Sequence, residues 1–232
     1  MVGERTGALL RRFGPALGIV LALAGCGGGG KAKVVYQPGD RNAPAQPQRW
    51  DFDADQPGGR PQGMTVFSGE WAVRAEAGAP SGAHALCQTA TAQFPALTLG
   101  DAIYTDVALT ARFKPISGRT DQAAGLIARV QDRDNYYILR ANALENNVNL
   151  YKYAGGKRDV LKEGQVAVPA GQWQELRLEV TGNRLRGVLN GRPVVEATDD
   201  TFTAGRVGLW TKADSVTCFD DVTVDPATGR AP

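Results

Sequence analysis

The chain has 232 residues, 43% of them hydrophobic and 22% charged, with a formal net charge of +2. That is enough for one domain with a proper core. Residues 1–25 hold three arginines against one glutamate, so the basic excess belongs to that segment. The remaining chain is formally neutral, which argues against nucleic-acid binding, since that needs a basic stripe.

In chain order, Arg5, Arg11 and Arg12 precede an apolar run from Pro15 to Ala24, the charge-then-apolar layout of a secretory signal over residues 1–25. The run falls short of the roughly 20 apolar residues a membrane-spanning helix needs. Leu23-Ala24-Gly25-Cys26 resembles a bacterial lipobox, which implies diacylation of Cys26 and a lipid anchor. Gly27 at the next position, where Asp would retain the protein at the inner membrane, favours the outer membrane or another periplasm-facing site. Residues 26–49 combine a glycine run with Pro38, Pro44 and Pro47, the composition of a flexible tether.

From Trp50 to about residue 226 the hydrophobic period is two, and turn residues recur at the spacing of an all-β sandwich. Residues 227–232 read as a tail. The pattern predicts strands at Trp71–Ala75, Ala85–Ala90, Ala102–Phe113, Ala124–Gln131, Asn135–Ala141, Asn147–Tyr153, Leu176–Val180, Leu185–Leu189, Gly205–Thr211 and Val216–Val224. Asn190-Gly191 is a strong hairpin signal, and "DRDN" at 132–135 reads as a tight turn. Phe219 and Val222 are three positions apart, which predicts a bulge in the last strand. No segment of this domain shows a convincing amphipathic helix. Cys87 and Cys218 are available to pair in an oxidising compartment, or to remain as two buried thiols.

The run from "FKPISGRTDQAAGLIARVQDRDNYYILRANALENNVNLYKY" through "GRVGLWTKADSVTCFDDVTV" resembles the laminin-G-like, concanavalin A-like domains filed under the 3-keto-disaccharide hydrolase family, over roughly residues 50 to 225. The resemblance implies a two-sheet antiparallel jelly-roll sandwich whose concave face binds or cuts sugar in relatives. It is less specific for function than for fold, because that architecture hosts glucanases, lectins and adhesion modules.

Glycanases on this sandwich resemble one another in a strand motif Glu-x-Asp-x-x-Glu, which sets nucleophile and acid on one face. No glutamate after residue 25 is followed two positions on by Asp. There is no Gly-x-Ser-x-Gly, and the single histidine, His84, lacks an evident acidic orienter. One histidine and two cysteines do not make a zinc cluster. No cofactor is expected apart from a structural calcium, for which the resemblance suggests Asp220 and Asp221; Asp51, Asp53 and Asp55 lack the spacing of a calcium loop.

The remaining signal is a set of polar and aromatic residues on strands. Strand alternation puts Leu126, Ala128 and Val130 on one face and Ile127, Arg129 and Gln131 on the other. Likewise Tyr137, Leu139 and Ala141 oppose Tyr136, Ile138, Arg140 and Asn142. With Glu145, Asn147, Trp210 and Lys212, the residues Arg129, Gln131, Arg140 and Asn142 form either a sugar-binding set, because glycans are held by aromatic stacking and planar polar groups, or a solvated, salt-bridged sheet face with Trp210 half-buried in the core. The leading expectation is a lipid-anchored, non-catalytic glycan-binding sandwich. A rival is a glycoside or 3-keto-glycoside hydrolase or lyase using Glu145 with Asp121 or Asp214, and a third reading is a structural or protein-interaction module of the envelope.

Overall fold

The computed structural model describes residues 46–226. The segment read as a signal, Cys26, most of the stretch read as a tether and the expected tail at 227–232 lie outside the described residues. Within them the chain forms fifteen strands and no helix. These are β1 (Gln48–Trp50), β2 (Met64–Ser68), β3 (Trp71–Ala75), β4 (His84–Gln88), β5 (Ala96–Leu99), β6 (Val107–Ser117), β7 (Ala123–Asp132) and β8 (Asn135–Asn142). They continue as β9 (Asn147–Ala154), β10 (Lys157–Gln165), β11 (Gln174–Thr181), β12 (Arg184–Leu189), β13 (Arg192–Thr198), β14 (Arg206–Trp210) and β15 (Val216–Pro226).

Two antiparallel sheets result. The first runs β13-β12-β11-β6-β15-β4-β3, with β1 paired to β15, and the second runs β10-β9-β8-β7-β14-β5-β2. Their inner faces meet in one core. Leu109, Ala111 and Phe113 with Leu176, Leu178 and Val180 come from the first sheet, and Leu126, Leu139, Leu150 and Leu209 from the second. Every one of these is fully buried or nearly so. At about 1.5–3 kcal/mol for each large apolar side chain, this interface is the main stabilising term. The chain is therefore an all-β, two-sheet antiparallel sandwich of jelly-roll type.

Turn chemistry follows the residues. Asn190 and Gly191, at φ of 49° and 74°, make the tight link between β12 and β13. Arg133 and Asp134 alone join β7 to β8. In β15 the register shifts between Asp220 and Thr223, with Asp221 at φ 47°, so that Phe219 and Val222 both reach the core. Cys87 and Cys218 sit directly opposite on β4 and β15, with Cα atoms 4.0 Å apart, and are disulfide-bonded.

Some strands escaped the pattern for identifiable reasons. The first, β1, begins at Gln48, inside the stretch read as tether, and residues 51–55 form a turn. β5 is buried throughout, so it shows no alternation, whereas β10 is an edge strand with most residues open to water. The strand expected from Ala102 starts at Val107; before it, Tyr104 makes only a single bridge to Gly205.

Lys152 is a polar residue on the inner side of β9, where it closes one end of the sandwich. Its Nζ lies 2.7 Å from Asp199, whose carboxylate also accepts from the Tyr137 hydroxyl at 2.6 Å and the Thr201 amide at 2.9 Å. Burial opposes ionisation of Asp199, but the bonds from Lys152, Thr201 and Tyr137 outweigh it and hold the carboxyl at about 2.

Two outcomes follow from this packing. The disulfide bridges residues 131 apart, so replacing both cysteines by alanine should lower unfolding free energy by about 2–4 kcal/mol, read as an earlier urea midpoint; an unchanged midpoint would contradict it. Because Asp199 is depressed from an ordinary 3.8 to about 2, its contribution is complete above pH 4 and fades as pH falls towards 2. Asp199→Asn should therefore cost about 1–2 kcal/mol at pH 7 and flatten the pH 2–4 dependence of stability measured by thermal unfolding.

Candidate functional site

Alternation along β8 divides its residues between two environments. Tyr137, Leu139 and Ala141 enter the core, while Tyr136, Ile138, Arg140 and Asn142 belong to the outer face of the second sheet. Register then sets neighbours side by side on that face. Arg140 lies between Asn149 of β9 and Gly125 of β7, and Gly125 lies between Arg140 and Trp210 of β14. A Cβ on Gly125 would come within 2.8 Å of the Trp210 ring, so the glycine makes room for the indole.

Arg140 is the hub of a polar cluster at one end of this face. Its Nη2 donates to Glu145 at 2.5 Å and to Asn147 at 2.8 Å, and its Nη1 is 4.0 Å from Asp121. Asp121, fully buried, also accepts from Asn142 at 2.7 Å and is paired with Lys212 at 2.8 Å. Asn147 donates to Glu145 at 2.9 Å. Burial works against ionisation of Glu145, yet the bonds from Asn147 and Arg140 keep its carboxyl below the usual range. Removing Arg140 would leave Asp121 held by Asn142 and Lys212 but would take from Glu145 and Asn147 the donor they share.

Aromatic rings continue the face away from this cluster. The Arg140 guanidinium lies 5.4 Å from the Tyr151 ring centroid, and that of Arg158, on β10, lies 4.5 Å from Tyr151 and 5.2 Å from Phe94. Phe94 stacks on Trp210 at 5.4 Å and meets Tyr153 edge-on at 5.4 Å, and Tyr153 touches Tyr136 at 5.0 Å. This second apolar cluster sits on the outside of a sheet, where water-facing residues are expected.

Several expected site residues lie elsewhere. Arg129 sits in a bulge of β7 at φ 51°, and the shift puts Val130 on the outer face and turns Arg129 inward. There its guanidinium is buried, donating to the carbonyls of Thr105, Phe202 and Gly182 beside Asp106. Burial draws its pKa down. Gln131 donates to the carbonyls of Arg129 and Ala204, bracing the same bulge. Trp210 is on the outer face but fully covered, with Phe94 on its ring, so it offers no open surface.

The acidic residues divide in the same way. Asp214 accepts from the backbone amides of Arg119, Thr120 and Asp121, which hold it at about 2, so it positions the turn that delivers Asp121. Asp220 accepts from the amide and hydroxyl of Ser81 and from the Asp221 amide, while Asp221 is paired with Arg49. A calcium ion at that pair would have to displace Ser81 and Arg49. Burial raises the Asp220 pKa. Asp53 likewise binds the backbone of Ala83 and His84.

Residues 49–225 match the model of the 3-keto-alpha-glucoside-1,2-lyase-like domain. The chain belongs to that family. A levanase of Bacillus subtilis is 28% identical over 106 residues, which is 44% of this chain and 15% of the levanase. Among solved structures, the carbohydrate-binding module CBM66 from Bacillus subtilis superposes with a TM-score of 0.61 at 23% identity, covering 70% of this chain and 95% of the module. A protein of unknown function with a galectin-like fold, also from Bacillus subtilis, gives 0.52 at 14% identity over 70% and 89% of the two chains. These likenesses establish the shared fold.

For this family member, sequence reasoning missed Phe94, Tyr151 and Arg158. Tyr151 was legible from the same two-residue alternation that placed Asn147. Phe94 lies in a loop between β4 and β5, and Arg158 on an edge strand without alternation, so neither carried a local signal.

Proposed function

We propose that this domain binds a carbohydrate on the outer face of its second sheet without cleaving it, and that a lipid on Cys26 anchors it to the cell envelope, most simply the outer membrane. The observation that carries the reading is the juxtaposition, on one face, of the partly open Glu145 carboxylate and Lys212 ammonium, anchored by the buried Arg140 and Asn147, with the rings of Phe94 and Tyr151. Sugars present apolar faces and rings of hydroxyls, which need that mixture. The carbohydrate-binding and levan-degrading names of its relatives support the same class of ligand.

The state of Glu145 favours binding over catalysis. A carboxylate kept ionised by Arg140 and Asn147 is a weak base and a poor acid near neutrality. Family membership supports a second reading, elimination or hydrolysis of a 3-keto-glycoside, in which Glu145 and Asp121 would be the acid and base groups. Asp214, tied to three backbone amides, has no part in that reading.

Affinity electrophoresis in levan, followed by a glycan array, should show retention of residues 46–232. Glu145→Ala and Lys212→Ala should each weaken binding about tenfold, because both side chains are partly open to solvent. Binding indifferent to both changes would remove this face from the site, and absence of binding to every glycan would defeat the reading. Turnover of 3-keto-disaccharides that disappears in Glu145→Gln would replace it by the enzymatic one. For the anchor, Cys26→Ser should move the full chain from the membrane to the soluble fraction; unchanged fractionation would refute lipidation.

A further inference from the structure

The polar cluster around Arg140 is largely satisfied from within: Arg140, Asn142, Asn147, Asp121 and Lys212 all spend polar atoms on one another or on Glu145. About 20 Å away along β9, by strand rise, the same face ends in a pocket of different character. Its lining combines the rings of Tyr136, Tyr153, Phe94 and Phe67 with the polar side chains of Ser68, Gln93, Arg133 and Asp134. The volume is about 110 Å³. This is roughly three to four water molecules' worth of space, the scale of one five- or six-membered ring.

The polar part of the lining is unspent. Among the described residues, the guanidinium of Arg133, the Asp134 carboxylate and the Gln93 amide have no hydrogen-bond partner, although the backbone of both loops is fixed. Gln93 and Ala92 are tied by main-chain bonds to Ala213, and the Asp134 carbonyl accepts from Gly156. Hence a rigid frame presents one cation, one anion and one amide beside a group of aromatic rings. Arg158 then spans the interval towards the polar cluster, with its Nη1 buried and unpartnered between Phe94 and Tyr151.

We infer that this pocket takes a single neutral sugar ring of the bound carbohydrate: the ring's apolar face packs on Tyr153 and Phe94, while Asp134 accepts from, and Arg133 and Gln93 donate to, its vicinal hydroxyls. Further units of the chain run over Arg158 and Tyr151 towards Glu145 and Lys212. The inference rests on the carbohydrate-binding reading above and names where recognition is strongest. Neutral sugar fits better than a charged one, because the two ionic groups of the lining have opposite sign.

The test uses residues 46–232 with D-glucose, D-galactose, D-mannose and D-fructose as free monosaccharides, together with the oligosaccharide that binds best in the array. Nuclear magnetic resonance titration should show at least one monosaccharide shifting the ring signals of Tyr136, Tyr153 and Phe94. The double variant Arg133→Ala/Asp134→Ala lies in an exposed turn and should fold normally. It should lose tenfold or more in affinity for that monosaccharide and for the oligosaccharide, about 1.4 kcal/mol or above. Arg184→Ala, on the outer face of the other sheet, should change neither. Oligosaccharide binding that survives the double variant but fails in Glu145→Ala and Lys212→Ala would overturn the pocket assignment and leave the carbohydrate reading standing. Failure of every sugar to bind would end both.

Discussion

Burial of one face of each sheet against the other is the constraint on which the rest of this molecule depends. Side chains alternate along a strand, so committing Tyr137, Leu139 and Ala141 to the core commits Tyr136, Ile138, Arg140 and Asn142 to the far side of the same sheet. A slip of one residue would drive Arg140 into the core and expose Leu139. The cost of burying an unpaired guanidinium far exceeds any gain from the exchange. Register, and with it the composition of the outer face, is therefore set by the core.

Where the chain departs from that alternation, it does so at bulges, and each has a structural consequence. The bulge at Arg129 turns a cation inward to hold three carbonyls from three different loops, at Thr105, Phe202 and Gly182. The bulge near Asp221 returns Val222 to the core after Phe219. The charged residues of this protein thus fall into two groups by geometry. Arg129, Asp199, Asp214 and Asp220 tie loops to strands at the ends of the sandwich, while Arg140, Glu145, Lys212 and Arg158 gather on one sheet face.

That face also carries an apolar cluster where a solvated sheet would be polar. Trp210, Tyr136, Tyr153 and Phe94 pack together outside the main core, with Gly125 clearing the ground for the indole. Arginine guanidinium planes over Tyr151 and Phe94 join this cluster to the hydrogen-bonded one. The combination of rings, planar cations and amides is what separates this surface from the opposite outer face, where Arg177, Glu179, Arg186, Arg184 and Glu196 form ion pairs open to water.

Sequence by itself determined the sandwich. Two-residue periodicity, the Asn190-Gly191 turn and the three-residue spacing of Phe219 and Val222 are local properties that dictate strands, a hairpin and a bulge wherever they occur. It also separated the faces of β8, because β8 has no bulge. It could not separate the faces of β7 beyond Ala128, since nothing local marks Arg129 as the extra residue. Nor could it bring Asp121, Lys212 and Glu145 to Arg140, or seat Phe94 on Trp210, because those contacts join strands and loops remote in sequence. Only pairing of β7 with β8 and with β14 decided them: polar residues meet according to which strands the core places side by side, a long-range property that no window of the chain contains.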